Sequence, residues 1–273
     1  MKRIRIHIFS LLFLLSGITV FSTENYLPGS RFAAMANASV MIPDIWSVSH
    51  NQAGLGYLTN LQFSFHYENK FMVPQYGLNA IAIAIPTNPG TLGFSLSYFG
   101  YAKYHEIKTS LAYGKLFGEK FSAGIQLNYH NVFISDEYGR SSAISVEGGF
   151  LFRPMKDLYI GAHIFNPSRA KFNTLDGNEY LPTTFRFGLG YHIMQKIWVA
   201  LESQKETNLP AIWKLGLEVE TLDHLFFRAG ITSSSFQSSF GIGYQIGGIR
   251  ADLAFSFHPQ LGFTPHVTFI YGF

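Results

Sequence analysis

Hydrophobic positions alternate with polar or small ones along most of this 273-residue chain, and the final stretch shows the period most plainly. Val267, Phe269, Tyr271 and Phe273 stand at every second position, with His266, Thr268 and Gly272 between them and Ile270 the one exception. A period of two marks a strand whose two faces meet different surroundings. From residue 61 onward such runs recur between turn residues. They fall at 61–68, 76–85, 91–99, 108–117, 120–134, 141–153, 158–165, 183–193, 196–204, 211–220, 225–232, 239–246, 249–257 and 263–273, which makes 14. Most reach the ~9–11 residues that a tilted strand needs to cross a bilayer.

The links between runs carry independent information. Residues 86–90, 154–157, 194–195, 221–224 and 247–248 are short links; 69–75, 135–140, 166–182 and 205–210 are longer ones that alternate with them. Short periplasmic turns and longer outer loops are the habit of outer-membrane barrels, and a soluble sandwich or propeller would not produce it. The fold class expected is all-β: a 14-stranded antiparallel transmembrane β-barrel over residues 61–273 with both ends periplasmic.

Faces can be assigned where the alternation is strong. Phe185, Phe187, Leu189 and Tyr191 oppose Arg186, Gly188, Gly190 and His192, and Trp213, Leu215 and Leu217 oppose Lys214, Gly216 and Glu218. A cation facing lipid near the midplane costs ~2–4 kcal/mol. Arg186, Glu202, Lys214, Glu218, Arg228, Arg250 and Asp252 are therefore expected in the lumen, joined as an ion-pair network, because buried charges persist when paired. That network either grips an inserted segment or packs the lumen. Earlier strands turn small groups inward instead, among them Ala80, Ala82, Ala84, Gly93, Ser95, Ser97, Ser122 and Gly124.

The start of the chain differs. Lys2, Arg3 and Arg5 precede a mostly apolar run at 8–20, and Val20 and Ser22 suit a cleavage site, so residues 1–22 read as a signal peptide. These residues hold three of the 20 Lys and Arg and none of the 17 Asp and Glu, so the remainder is close to neutral. No basic excess suggests nucleic acid. Charged residues make up 14% and aromatics 16%, which suits a lipid-facing barrel with aromatic girdles. Cysteine is absent, which excludes disulfides and thiolate metal sites. Residues 30–40 are Ala-rich with helical character, and Pro43 and Asp44 read as a helix start with Asp44 as N-cap.

Catalytic chemistry finds no support. Gly241 and Gly243 lie within a strand pattern with no helix after them, so they do not make a phosphate loop. No serine has nucleophile-elbow surroundings. The histidines beyond residue 22 (His50, His66, His105, His130, His163, His192, His224, His258 and His266) show no metal-ligand spacing, and no cofactor is expected.

Residues 29–40 (GSRFAAMANASV) and 44–55 (DIWSVSHNQAGL) resemble the mature N-terminus of the PorV/PorQ group of Bacteroidota, within the FadL-type family of 14-stranded barrels. The family pattern ends on Asn-Pro-Ala-Gly-Leu; Asn51, Ala53, Gly54 and Leu55 match it, and Gln52 replaces the proline. The resemblance implies that residues 23–60 form a plug inside the barrel. The terminal strand (Val267, Phe269, Tyr271, Phe273) similarly looks like a barrel-insertion signal, which implies outer-membrane lipids and the insertion machinery as partners. Few residues remain for outer loops. With the PorV/PorQ likeness, that implies a docking or shuttle subunit of a larger outer-membrane assembly in type IX secretion, partnered by a translocon. The alternative is FadL-like passive transport of small hydrophobic compounds.

Overall fold

The computed structural model describes residues 25–135, 139–174 and 177–272. The signal peptide proposed for 1–22 and the terminal Phe273 lie outside the described residues.

Alternation becomes wall. The first half of the barrel consists of β1 (Gln62–Asn69), β2 (Gly77–Thr87), β3 (Gly90–Tyr101), β4 (Tyr104–Phe117), β5 (Phe121–Ile134), β6 (Gly139–Met155) and β7 (Leu158–Phe165). A small hairpin, β8 (Lys171–Thr174) and β9 (Gly177–Tyr180), follows. The second half consists of β10 (Thr184–Ile193), β11 (Ile197–Glu206), β12 (Ile212–Leu222), β13 (Leu225–Thr232), β14 (Ser238–Ile246), β15 (Ile249–His258) and β16 (Gly262–Tyr271). Apart from β8 and β9, every strand pairs antiparallel with its neighbours, and β1 pairs with β16 to close a 14-stranded barrel.

Burial follows the period of two. In β1, Phe63, Phe65 and Tyr67 face outward while Gln62, Ser64, His66 and Glu68 are buried. In β16, Phe269 and Tyr271 face outward. Ile270, the exception in the sequence pattern, points inward and joins the core. Leu215 sits half-exposed on the lipid face between inward Lys214 and Gly216. Leu215→Arg is expected to cost about 2–4 kcal/mol and to lower the fraction that folds into vesicles, scored by gel mobility without boiling. Unchanged folding would place Leu215 outside the hydrocarbon.

Two links differ from expectation. The turn between β3 and β4 is tight, because the ladder runs on to the Tyr101–Tyr104 pair. The 166–182 link is not a bare loop but holds the β8–β9 hairpin. Asn166 starts it in the left-handed region (φ 51°), a conformation asparagine tolerates. Its Nδ2 donates to the Leu181 carbonyl (2.8 Å) and its Oδ1 accepts from the Ala170 N–H (2.9 Å). Phe172 and Leu181 then pack on Ala143, holding the hairpin against the outer part of β6.

The apolar core lies within the lumen. Phe32, Met35, Val40, Met41, Ile45, Trp46, Val48 and Leu55, all from the segment before β1, pack against Ala80, Ala82, Ala84, Ala112, Leu151 and Ile270 of the wall. That segment contains α1 (Ser30–Ala34), α2 (Ser47–His50) and a 3-10 turn at Gln52–Tyr57. α1 is shorter than the helical stretch expected over 30–40, because Ala36 and Asn37 take φ of 54° and 57° and end it.

Candidate functional site

The segment inside the barrel meets two unlike walls. On the first, small lumen-facing residues let backbone touch backbone. A Cβ placed on Gly124 would lie 2.4 Å from the Gln52 carbonyl carbon, and one on Gly114 would lie 2.4 Å from the Gln52 carbonyl oxygen. Around the barrel the same closeness recurs: Gly161 meets the Val40 carbonyl, and Gly230 meets the Ala36 nitrogen. These glycines form a belt on which the plug backbone rests.

Asn51 fixes the register of this contact. Its Nδ2 donates to the Val40 carbonyl at 2.7 Å and to the Phe150 carbonyl of β6 at 3.1 Å, and its Oδ1 accepts from the Ala53 N–H at 3.2 Å. Ala53, Gly54 and Leu55 are buried in the 3-10 turn that follows. The Ala53 carbonyl accepts from the Ser122 hydroxyl at 2.6 Å. Gly54 abuts Ser47, with no room for a side chain.

The second wall is charged. Glu202 of β11 is fully buried. It accepts from Arg186 Nε and Nη2 at 2.7 and 3.0 Å and from Lys214 Nζ at 3.2 Å. It also takes two plug N–H groups, those of Ser39 (2.8 Å) and Val40 (2.9 Å). Arg186 also reaches the plug, Nη2 donating to the Ser39 hydroxyl at 2.7 Å and Nη1 to the His50 carbonyl at 3.1 Å.

Six further side chains close a ring of alternating charge. Glu218 meets Arg228 (2.6 Å), which meets Asp252 (2.7 Å), which meets Arg250 (3.0 Å). Arg250 then meets Asp44 (2.7 Å), Asp44 meets Arg31 (3.2 Å), and Arg31 returns to Glu218 (2.6 Å). Four members belong to the wall; Arg31 and Asp44 belong to the plug. All seven charges singled out from the sequence lie in the lumen, within reach of opposite charges. The sequence did not single out Arg31, and it read Asp44 only as a cap. The helix begins later than that, at Ser47 with Trp46 at its N-cap and no side-chain cap; Asp44 Oδ1 accepts from the Trp46 N–H at 3.2 Å in the turn before it, and Oδ2 completes the ring. Burial alone would raise the Asp44 pKa, but Arg250 and Arg31 hold it at about 2, so it stays ionised. Burial and the nearby Arg186 charge push His50 down to about 3. The imidazole is thus neutral, with Nε2–H donating to the Pro28 carbonyl at 2.8 Å and Nδ1 meeting the Ser39 hydroxyl at 2.7 Å.

A further group was missed on β4 to β7. Glu147 accepts from Lys108 (3.2 Å), Gln126 (2.7 Å) and Asn128 (2.9 Å). The signal for it, polar residues at inward positions of adjacent strands, was present in the sequence.

Outside the plug, towards the longer links, a cavity of about 580 Å³ is lined by Tyr26, Phe71, Tyr76, Phe99 and Tyr104, with Glu68, Lys70 and His266 among its polar groups. Phe99 stacks on Tyr26 with centroids 4.6 Å apart, and Tyr76 lies 6.2 Å from Phe99. A second cavity of about 300 Å³ reaches Arg186 and Lys214 beside Ala33 and Asn37 of the plug. Neighbouring barrel strands are hydrogen-bonded all round the cylinder, but the outer part of β6, before Glu147, has no partner on β7 and meets the β8–β9 hairpin instead.

No family model matches the sequence, and no curated relative does. Solved structures match over nearly the whole chain. The CymD monoaromatic hydrocarbon channel is 12% identical with a TM-score of 0.66, covering 90% of this chain and 97% of that one. The Ralstonia pickettii toluene transporter TbuX is 11% identical, TM-score 0.64, covering 89% and 97%. A Pseudomonas aeruginosa FadL homologue is 11% identical, TM-score 0.58, covering 90% and 97%. At this identity the likeness shows the fold: a closed 14-stranded barrel like those of FadL-type outer-membrane channels and transporters. It does not carry the finer PorV/PorQ assignment or the link to type IX secretion.

Proposed function

We infer that this barrel is a passive transporter of small hydrophobic compounds, single-ring aromatics among them, across the outer membrane. The observation that carries this reading is the aromatic vestibule above a fitted plug, in a fold shared with monoaromatic hydrocarbon channels. A cavity of about 580 Å³ lies in the size range of small-molecule sites, and its aromatic rings share the lining with polar groups that include Glu68, Lys70, Glu106 and His266. Tyr26, Tyr76 and Phe99 offer stacked faces to a flat apolar guest, and aromatic rings favour offset contacts of this kind. Lys70 Nζ sits 5.0 Å from the Tyr26 ring centroid and 5.9 Å from that of Phe99, a cation against the aromatic wall.

The closed ring of strands sets the route. A guest held in the vestibule leaves along the barrel axis, past the plug, when the contacts of Arg186 and the charge ring let the plug shift.

Uptake of labelled toluene by cells carrying the barrel tests this reading. Uptake is expected to exceed that of cells carrying an unrelated closed barrel, and Phe99→Ala is expected to lower it several-fold with folding unchanged. Uptake equal to the control cells would overturn the assignment.

A further inference from the structure

We propose that His66, Glu68 and His266 form a binding site for a divalent transition-metal ion of the zinc class, set in the seam where the first strand meets the last. The three residues come from opposite ends of the chain. His66 and Glu68 are two apart on β1 and so share its inner face; His266 lies directly across from Glu68 on β16. One donor atom from each lies within 4.8 Å of the others.

The distances suit donors gathered around one centre. His66 Nε2 stands 3.6 Å from Glu68 Oε2, and His266 Nδ1 stands 3.2 Å from the same oxygen. Both nitrogens are buried and neither has a hydrogen-bond partner. Zinc binds nitrogen and oxygen at ~2.0–2.1 Å, which sets donors of a tetrahedron ~3.3–3.4 Å apart. The two contacts to Glu68 are close to two edges of such a tetrahedron.

The remaining ring nitrogens are already engaged. His66 Nδ1 meets the Thr268 hydroxyl at 2.8 Å, and His266 Nε2 meets the Ser256 hydroxyl at 3.0 Å. With those nitrogens protonated, each imidazole turns its lone pair to the common centre, as partners of metal-bound histidines do. Glu68 and His266 also line the vestibule, so an ion can enter from outside and keep a fourth position for water or a guest.

The site also reaches the plug. The Thr268 hydroxyl that holds His66 accepts from the Ser30 N–H at 2.8 Å. A bound ion thereby ties β1, β16 and the start of α1 together. This inference stands apart from the transport reading and needs neither a substrate nor an open plug.

The test uses the full barrel, refolded in detergent after treatment with a chelator and titrated with zinc chloride by calorimetry. One zinc per chain is expected. His266→Gln and Glu68→Gln should each weaken binding more than tenfold, while His258→Gln, in the same vestibule, should leave it unchanged. Folding of each variant is checked by gel mobility without boiling. Cobalt added to the wild-type barrel gives a second readout, because a site of low coordination number shows strong visible absorption. No zinc uptake by the folded barrel overturns the proposal, as does uptake that neither variant weakens or a cobalt spectrum like that of the hydrated ion.

Discussion

Glu202→Gln is expected to destabilise the folded barrel by about 3–5 kcal/mol, the usual cost of removing one partner from a buried ion pair. The change keeps the shape and removes the charge. Arg186 and Lys214 would then face each other across a neutral amide, and the two plug N–H groups, which share the one oxygen Oε2, would both lose their carboxylate. Lys214 retains Gln204 at 2.7 Å, so Arg186 bears most of the loss. The double variant R186M/E202Q should recover part of it, since an apolar replacement leaves one fewer buried charge unmatched. Urea titration in vesicles, followed by fluorescence of buried Trp46 in the plug, measures both. An unchanged midpoint for the single variant would mean that the pair contributes nothing to holding the plug.

Gly124→Val is expected to unseat the plug without breaking the barrel. The atoms that a side chain would meet there are backbone atoms of Gln52 and Ala53, which cannot turn aside as a side-chain tip can. Overpacking of this kind costs about 1–3 kcal/mol, and more where backbone must move. The cheapest relief is to lift the Gln52–Tyr57 turn off β5. Single-channel recording should then show larger and more frequent openings than wild type, and protease should reach residues 25–58. Ala123→Val, one residue away on the lipid side, is the control and should leave both unchanged. Equal conductance of Gly124→Val and wild type would show that the turn can be lifted without opening a path.

The sequence reveals the wall more fully than the interior, for a physical reason. A strand between lipid and lumen must alternate, so Arg186, Lys214 and Glu218 are placed by the apolar neighbours that flank them. Nothing periodic places Arg31 or Asp44, because the plug has no lipid face; their part in the charge ring depends on the fold as a whole. The same holds for His66, Glu68 and His266. The i, i+2 spacing of the first two was visible, but their partner lies about two hundred residues away and becomes a neighbour only when the barrel closes. The glycines show as small, not as the seat of a backbone. The 166–182 link gave no strand signal because β8 and β9 are only four residues each.

The position of the plug also has a consequence for timing. Ser30 bonds to Thr268 across 238 residues of chain, and α1 lies against β13 to β16 while the Gln52–Tyr57 turn lies against β3 to β6. The segment made first thus finds half of its partners last. Contacts so distant in sequence are slow to form, since the loop they close must be ordered before they return any energy. The seam between β1 and β16 closes beside that segment, so sealing the cylinder and burying Arg31, Asp44 and Trp46 draw on contacts of the same long range.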